Sequence, residues 1–176
     1  SFQGDINQGA LSYSLKVNET QPIYQGWNLV GNPYPGDASW NNKGWAKTNV
    51  ANSIYHHGHP SGQPVAYVNG VSNPAGYSNG TLQPLEAFWV YANQEGPLSV
   101  NDSILNDHTE TAPSTRNLQE LSSIRLQISD ENALYQSLII LDDQAQYGFD
   151  PGLDAWHLSV PPVGKTQSPG LFSLDS

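Results

Sequence analysis

The run His56-His57-Gly58-His59 could bind a metal, because neutral imidazoles this close together can ligate zinc, nickel or copper. Adjacent residues of a strand, however, point to opposite faces, and no nearby residue completes a tetrahedral set. The competing expectation is a solvated loop. The carboxylates Asp142, Asp143, Asp150 and Asp154 bracket a turn-rich stretch and could supply oxygens to calcium. Against that, each Asp can cap a turn through its own backbone, and the Asp150 to Asp154 spacing is not that of an EF-hand loop. Calcium is the cofactor to be tested, and no other is implied. Glu86 and Glu95 are the residues a glycosidase pair would need, but one precedes a strand and the other lies in a turn. Ser and His are plentiful without a nucleophile-elbow pattern. A hydrolase is therefore the most distant reading, and the chain is expected to be non-catalytic.

The aromatics offer a different chemistry. Trp40 and Trp45 lie in the polar loop Trp40-Asn41-Asn42-Lys43-Gly44-Trp45. An indole face stacks on the C–H face of a sugar, and Asn41, Asn42 and Lys43 could hydrogen-bond its hydroxyls, the usual mixture in a ligand site. Tyr34 and Tyr77 are possible companions. The alternative for Trp40 is a plug at the end of a sandwich. Trp27, Trp89 and Trp156 sit in strand-like segments and are expected to be core.

Positioning falls to strands. Leu11, Tyr13, Leu15 and Val17 alternate with polar residues, as a half-buried strand does. In Gly26-Trp27-Asn28-Leu29-Val30 the apolar residues occupy both faces, and Gly31-Asn32-Pro33-Tyr34-Pro35 stops the run, its prolines fixing φ and removing donors. The stretch from Gly36 to Gly62 reads as irregular, with a short helical turn possible near Ala38 to Trp40 and a short strand over Asn52 to Tyr55. Pro64 to Asn69 reads as a strand, and Asn69-Gly70 signals a tight turn. Leu85 to Asn93 is apolar on both faces and should be central, with Pro97 to Val100 as its next neighbour. Ile124, Leu126 and Ile128 alternate, Ser137 to Leu141 reads as buried, and Ala155 to Val160 and Leu171 to Leu174 could be further strands. No helical period of useful length occurs. The fold expected is all-β, a β-sandwich or jelly-roll-like arrangement, one variant being two small β subdomains that share an interface: 1–106, a polar linker at 107–117, and 118–176.

Composition narrows the habitat and the partners. Charged residues are only 12% of the chain, against roughly 25% in an average soluble domain. Asn, Gln, Ser, Thr, Gly and Pro replace them, the profile of an extracellular β-rich module with neutral loops. The net charge is −10 with six Lys and Arg, which disfavours nucleic acid and anionic membrane surfaces. There is no cysteine, so disulfides and thiolate chemistry are excluded. With no methionine either, the chain is expected to be a fragment of a longer protein. No apolar run approaches the roughly 20 residues of a membrane-spanning helix.

The sequence resembles a recurrent module of large surface and secreted proteins exported by the bacterial type IX secretion system. The likeness rests on Gly26-Trp27-Asn28-Leu29-Val30-Gly31-Asn32-Pro33-Tyr34-Pro35, the turn Asp37-Ala38-Ser39-Trp40, the strand Ser53-Ile54-Tyr55 and the run Pro84 to Ala92. It continues in Gly148 to Ala155 and Leu171-Phe172-Ser173. The resemblance implies a β-sandwich, an extracellular or cell-surface location, and a place upstream of a C-terminal sorting domain, beside neighbouring domains of a larger chain. It implies no activity. Within it, the expected task is glycan binding or adhesion to a neutral polysaccharide through the loop aromatics. The alternative is a structural spacer that presents a neighbouring domain.

Overall fold

The computed structural model describes residues 5–20, 25–57, 64–106, 123–129, 134–141, 143, 145, 147–150 and 154–155. Among these the chain is all-β, with several antiparallel sheets packed together in a sandwich-like arrangement. The strands are β1 (Leu11–Leu15), β2 (Trp27–Gly31), β3 (Ala38–Ser39), β4 (Trp45–Ala46), β5 (Val50–His57), β6 (Pro64–Val68) and β7 (Val71–Asn73). They continue as β8 (Thr81–Leu82), β9 (Ala87–Ala92), β10 (Gly96–Val100), β11 (Ser123–Ser129) and β12 (Leu134–Ile140).

The larger sheet has the order β2-β9-β5-β6-β7, and the smaller one β1-β10-β4. Val30, Ile54, Tyr67, Phe88, Val90 and Ala92 from the first face Leu15, Trp45, Leu98 and Val100 from the second in one buried cluster. β3 and β8 form a short ribbon whose Ala38 and Leu82 join the same cluster. Asn69 and Gly70, with φ of 48° and 88°, join β6 to β7 as the tight two-residue turn that the dipeptide predicts.

Two expectations about strands are corrected. The segment from Pro97 to Val100 does not pair with β9. The chain turns over at Asn93 to Gly96 and crosses to the other sheet, where β10 sits between β1 and β4. Nor is there a helical turn at Ala38, which is a strand residue opposite Leu82. Ile124, Leu126 and Ile128 do form a strand, β11, in a hairpin with β12, and the side-chain amide of Asn73 donates to the backbone of Gln136 there, at 2.9 Å. The proposed linker, the segments Ala155 to Val160 and Leu171 to Leu174, and Trp156 lie outside the described residues, Ala155 excepted.

The strand-to-corner motif proves to be a lock between the sheets. The Asn28 amide donates to the Lys16 carbonyl, and its oxygen accepts the Lys16 N–H, both at 2.9 Å. That reciprocal pair ties β2 to the chain just past β1. Val30 enters the core, while Trp27 and Leu29 point outward, Trp27 only half-buried and Leu29 58% exposed. Trp89, opposite Leu29, is half-buried as well. The expectation that Trp27 and Trp89 are core is thus corrected: they share the outer face of the larger sheet, where Trp27 meets Tyr55 and Tyr91 edge-on.

Candidate functional site

The corner after β2 is built from polar atoms turned inward. Asn32 is buried; its amide donates to the carbonyls of Gly36, Leu82 and Gln83, and its oxygen accepts the N–H of Tyr34. Tyr34 is buried too, and its hydroxyl donates to the carbonyl of Gly9 and reaches that of Val100 at 3.4 Å. The ring expected to help hold a ligand therefore closes the end of the sandwich.

The same correction applies to the tryptophan loop. Trp40 is fully buried and Trp45 is 5% exposed. With Phe88 they form a triad whose centroids lie 5.1 to 5.9 Å apart. Each indole N–H is satisfied internally, Trp40 by the Asn52 carbonyl and Trp45 by that of Ser39. Trp45 is a strand residue opposite Val100, so its ring enters the core and cannot lie across the surface. Gly44 serves that packing, since a Cβ there would come within 2.7 Å of the Ile104 side chain. The polar neighbours that suggested exposure are occupied: the Asn42 amide donates to the carbonyls of Ile104 and Leu105, and the Asn41 amide to the Tyr67 hydroxyl.

Of the predicted metal ligands, Asp142 lies outside the described residues. Asp154 caps a turn: its carboxylate accepts the Asp150 N–H, while its own N–H donates to the Asp150 carbonyl, both at 2.7 Å. Asp143 is exposed. Among the described residues no group of three His, Asp or Glu is arranged to hold a metal ion. Glu86 and Glu95 stand beyond opposite ends of β9, and Glu95 pairs with Lys16.

Tyr77 is the predicted ligand aromatic that does face solvent, at 46% exposure. It lines a polar cleft of about 400 Å³ with His56, Ser78, Asn79, Thr81, Gln83 and Glu86. The cleft draws on three stretches of chain. His56 comes from the end of β5, and Glu86 from the residue before β9. The third stretch is the loop around Gly80, whose φ is +79° and whose missing Cβ would lie 2.5 Å from the Tyr67 ring. Only glycine allows that loop to lie so close to Tyr67.

The Glu86 carboxylate accepts the Gln83 N–H at 2.7 Å and stands 3.6 Å from His56 Nδ1. His56 is therefore not the solvated loop residue expected: its side chain is 13% exposed. His57, beside it, is exposed, and His59 lies outside the described residues. Burial lowers the His56 pKa, Glu86 opposes that shift, and His57 adds to it. Its Nε2 is buried with no hydrogen-bond partner among the described residues, which suits a neutral ring.

The turn Gln83-Pro84-Leu85-Glu86 shapes the rim. Its closing bond runs from the Glu86 N–H to the Gln83 carbonyl at 3.0 Å, and Leu85 carries a φ of 62°. Proline second and positive φ third is the type II pattern, which ordinarily takes glycine at the third place.

No family model, no curated protein and no solved structure matches the chain.

Proposed function

We propose that this chain is a non-catalytic structural module of an exported bacterial protein, one that holds neighbouring domains in place at the cell surface or outside the cell. The observation that carries this reading is the burial of Trp40, Trp45 and Tyr34, with the amides of Asn32 and Asn42 satisfied by backbone carbonyls. The loops that looked built for a ligand are occupied in holding the two sheets together. Export rests on the likeness of the Gly26 to Pro35 motif and its companions to secreted modules, and on the low charge of the chain.

The sheet register refines the idea of a spacer. Leu11 at the start of β1 is the Cα partner of Val100 at the end of β10. The chain therefore enters and leaves this pair of strands at the same place. Across β1 and β10, then, the fold adds little length between the chain before Leu11 and the chain after Val100.

Affinity electrophoresis of the whole chain against a panel of neutral polysaccharides tests this reading. The double variant Asn41→Ala/Lys43→Ala removes the exposed polar side chains of the tryptophan loop; it leaves Trp40 and Trp45 in place and gives up the bond from Asn41 to the Tyr67 hydroxyl. It is expected to migrate as the wild type does on every polysaccharide. Retardation of the wild type that the double variant loses would restore the loop as a binding site and overturn the structural reading. A glycan-binding reading keeps a different address, because an exposed aromatic and a cluster of amides and hydroxyls meet at the cleft.

A further inference from the structure

We propose that the cleft between β5, the Gly80 loop and the start of β9 binds a single unit of a neutral sugar. This goes beyond the structural role and does not depend on it. The cleft, at about 400 Å³, is within the range of small-ligand sites. Its lining is polar, apart from one exposed aromatic face, that of Tyr77.

The polar groups are fixed before any ligand arrives. Asn79 accepts the Thr81 N–H through Oδ1 at 2.9 Å, which fixes the side chain while its Nδ2 remains a donor. Ser78 accepts the Gly80 N–H through Oγ at 3.2 Å and keeps its own O–H to donate. The Glu86 carboxylate accepts the Gln83 N–H on one oxygen at 2.7 Å, and its other oxygen stands 3.6 Å from His56 Nδ1. Donors and an acceptor held in place in this way lose little entropy on binding. Neighbouring sugar hydroxyls both donate and accept. They match a carboxylate beside amide and hydroxyl donors, while a C–H face can lie on the Tyr77 ring.

Charge selects among sugars. Glu86 and His56 are the titratable groups of the lining apart from the Tyr77 phenol, and with His56 neutral the cleft carries one negative charge. A uronic acid or sulfated sugar would meet that carboxylate without a cation to pair with. A neutral hexose or pentose meets no such repulsion.

The test is a ¹H–¹⁵N correlation titration of the whole chain with neutral monosaccharides (glucose, galactose, mannose and xylose) and with glucuronate as the charged control. At least one neutral sugar is expected to shift the amides of Ser78, Asn79, Gln83 and Glu86, with Kd on the order of millimolar. Glucuronate is expected to leave them unmoved. Tyr77→Ala and Asn79→Ala should each weaken binding about tenfold while the remaining spectrum stays that of the wild type. If no neutral sugar moves these amides, or if Tyr77→Ala binds as the wild type does, the proposal is wrong. Shifts confined to Trp27 and Trp89 on the outer sheet face would overturn it equally. None of these results bears on the tryptophan loop, so the two readings fail separately.

Discussion

The Lys47 ammonium lies over the Trp40 indole, with Nζ 4.1 Å from the ring centroid and 2.8 Å from the Asn52 side-chain oxygen. Burial pushes this amine down to about 8 from the usual 10.5, while the π-face favours the charged form. Between those two pH values the unfolded chain binds more protons at this position, so stability should rise with pH there. At higher pH the trend reverses. Burial raises the pKa of both Tyr13 and Tyr34 above 10.0, so the unfolded chain gives up those protons first and the native state loses ground. Denaturant midpoints measured every half unit across the alkaline range should therefore climb and then fall. In Lys47→Met the climb should be absent and the fall retained.

The tryptophans should separate into two classes. Trp45→Ala removes a ring packed against Trp40 and Phe88 and is expected to cost roughly 3–5 kcal/mol, the scale for a large core aromatic. Trp27→Ala, on the half-open outer face, should cost less than half as much. Equal losses in urea unfolding would mean that the outer face is covered as fully as the core.

Asn32 should be the costliest polar residue to remove. Asn32→Ala leaves the Tyr34 N–H and three inward-facing carbonyls without the amide that joins them. A loss of roughly 2–4 kcal/mol is expected, since each buried group left unsatisfied costs about 1–3 kcal/mol. Asn32→Asp should fare no better, because it keeps the acceptor but buries a charge with no donor to the carbonyls. Calorimetry of the three proteins at neutral pH decides this.

Leu85 should be replaceable with a gain. It is 75% exposed and held at a φ of 62°, so it forgoes little packing while bearing left-handed strain. That strain is about 1–2 kcal/mol for an L-residue, against about 0.5–1 kcal/mol of extra chain entropy lost by glycine. Leu85→Gly is expected to raise stability by up to about 1 kcal/mol. A lower melting temperature would show that the Leu85 side chain makes contacts that outweigh its backbone strain.

Much of the strand framework can be read from alternation and turn residues, as β1, β6 and the Asn69-Gly70 turn illustrate. Which face of a strand is buried is harder to read where both faces carry apolar groups. In Trp27-Asn28-Leu29-Val30 the bulkier pair points outward, because Asn28 has a backbone partner across the sandwich and Val30 meets the core. Trp45 misleads for a related reason. Asn41 and Asn42 look like solvent-facing residues, yet local composition does not reveal that the carbonyls of Ile104 and Leu105, some sixty positions away, satisfy Asn42. The cleft was invisible as a unit because His56 comes from another strand, more than twenty positions before the 77–86 stretch that supplies the other lining residues. Tyr77, His56 and Glu86 each carried a signal, but for three different chemistries: a sugar-stacking ring, a metal ligand and half of a glycosidase pair.

The pairing of Leu11 with Val100 also decides how this module would meet force. Tension between the chain before β1 and the chain after β10 does not slide the two strands along each other with all their hydrogen bonds loaded together. It opens them from one end, a pair at a time, like a zip. On the downstream side the pull first reaches the bridge between Ala38 and Leu105 and the bond from the Asn106 N–H to the Asp37 carbonyl. Together with the Asn42 amide on the carbonyls of Ile104 and Leu105, those contacts act as the catch, and beyond them β10 has to part from β4 as well as from β1. A module wired this way would yield pair by pair and not all at once.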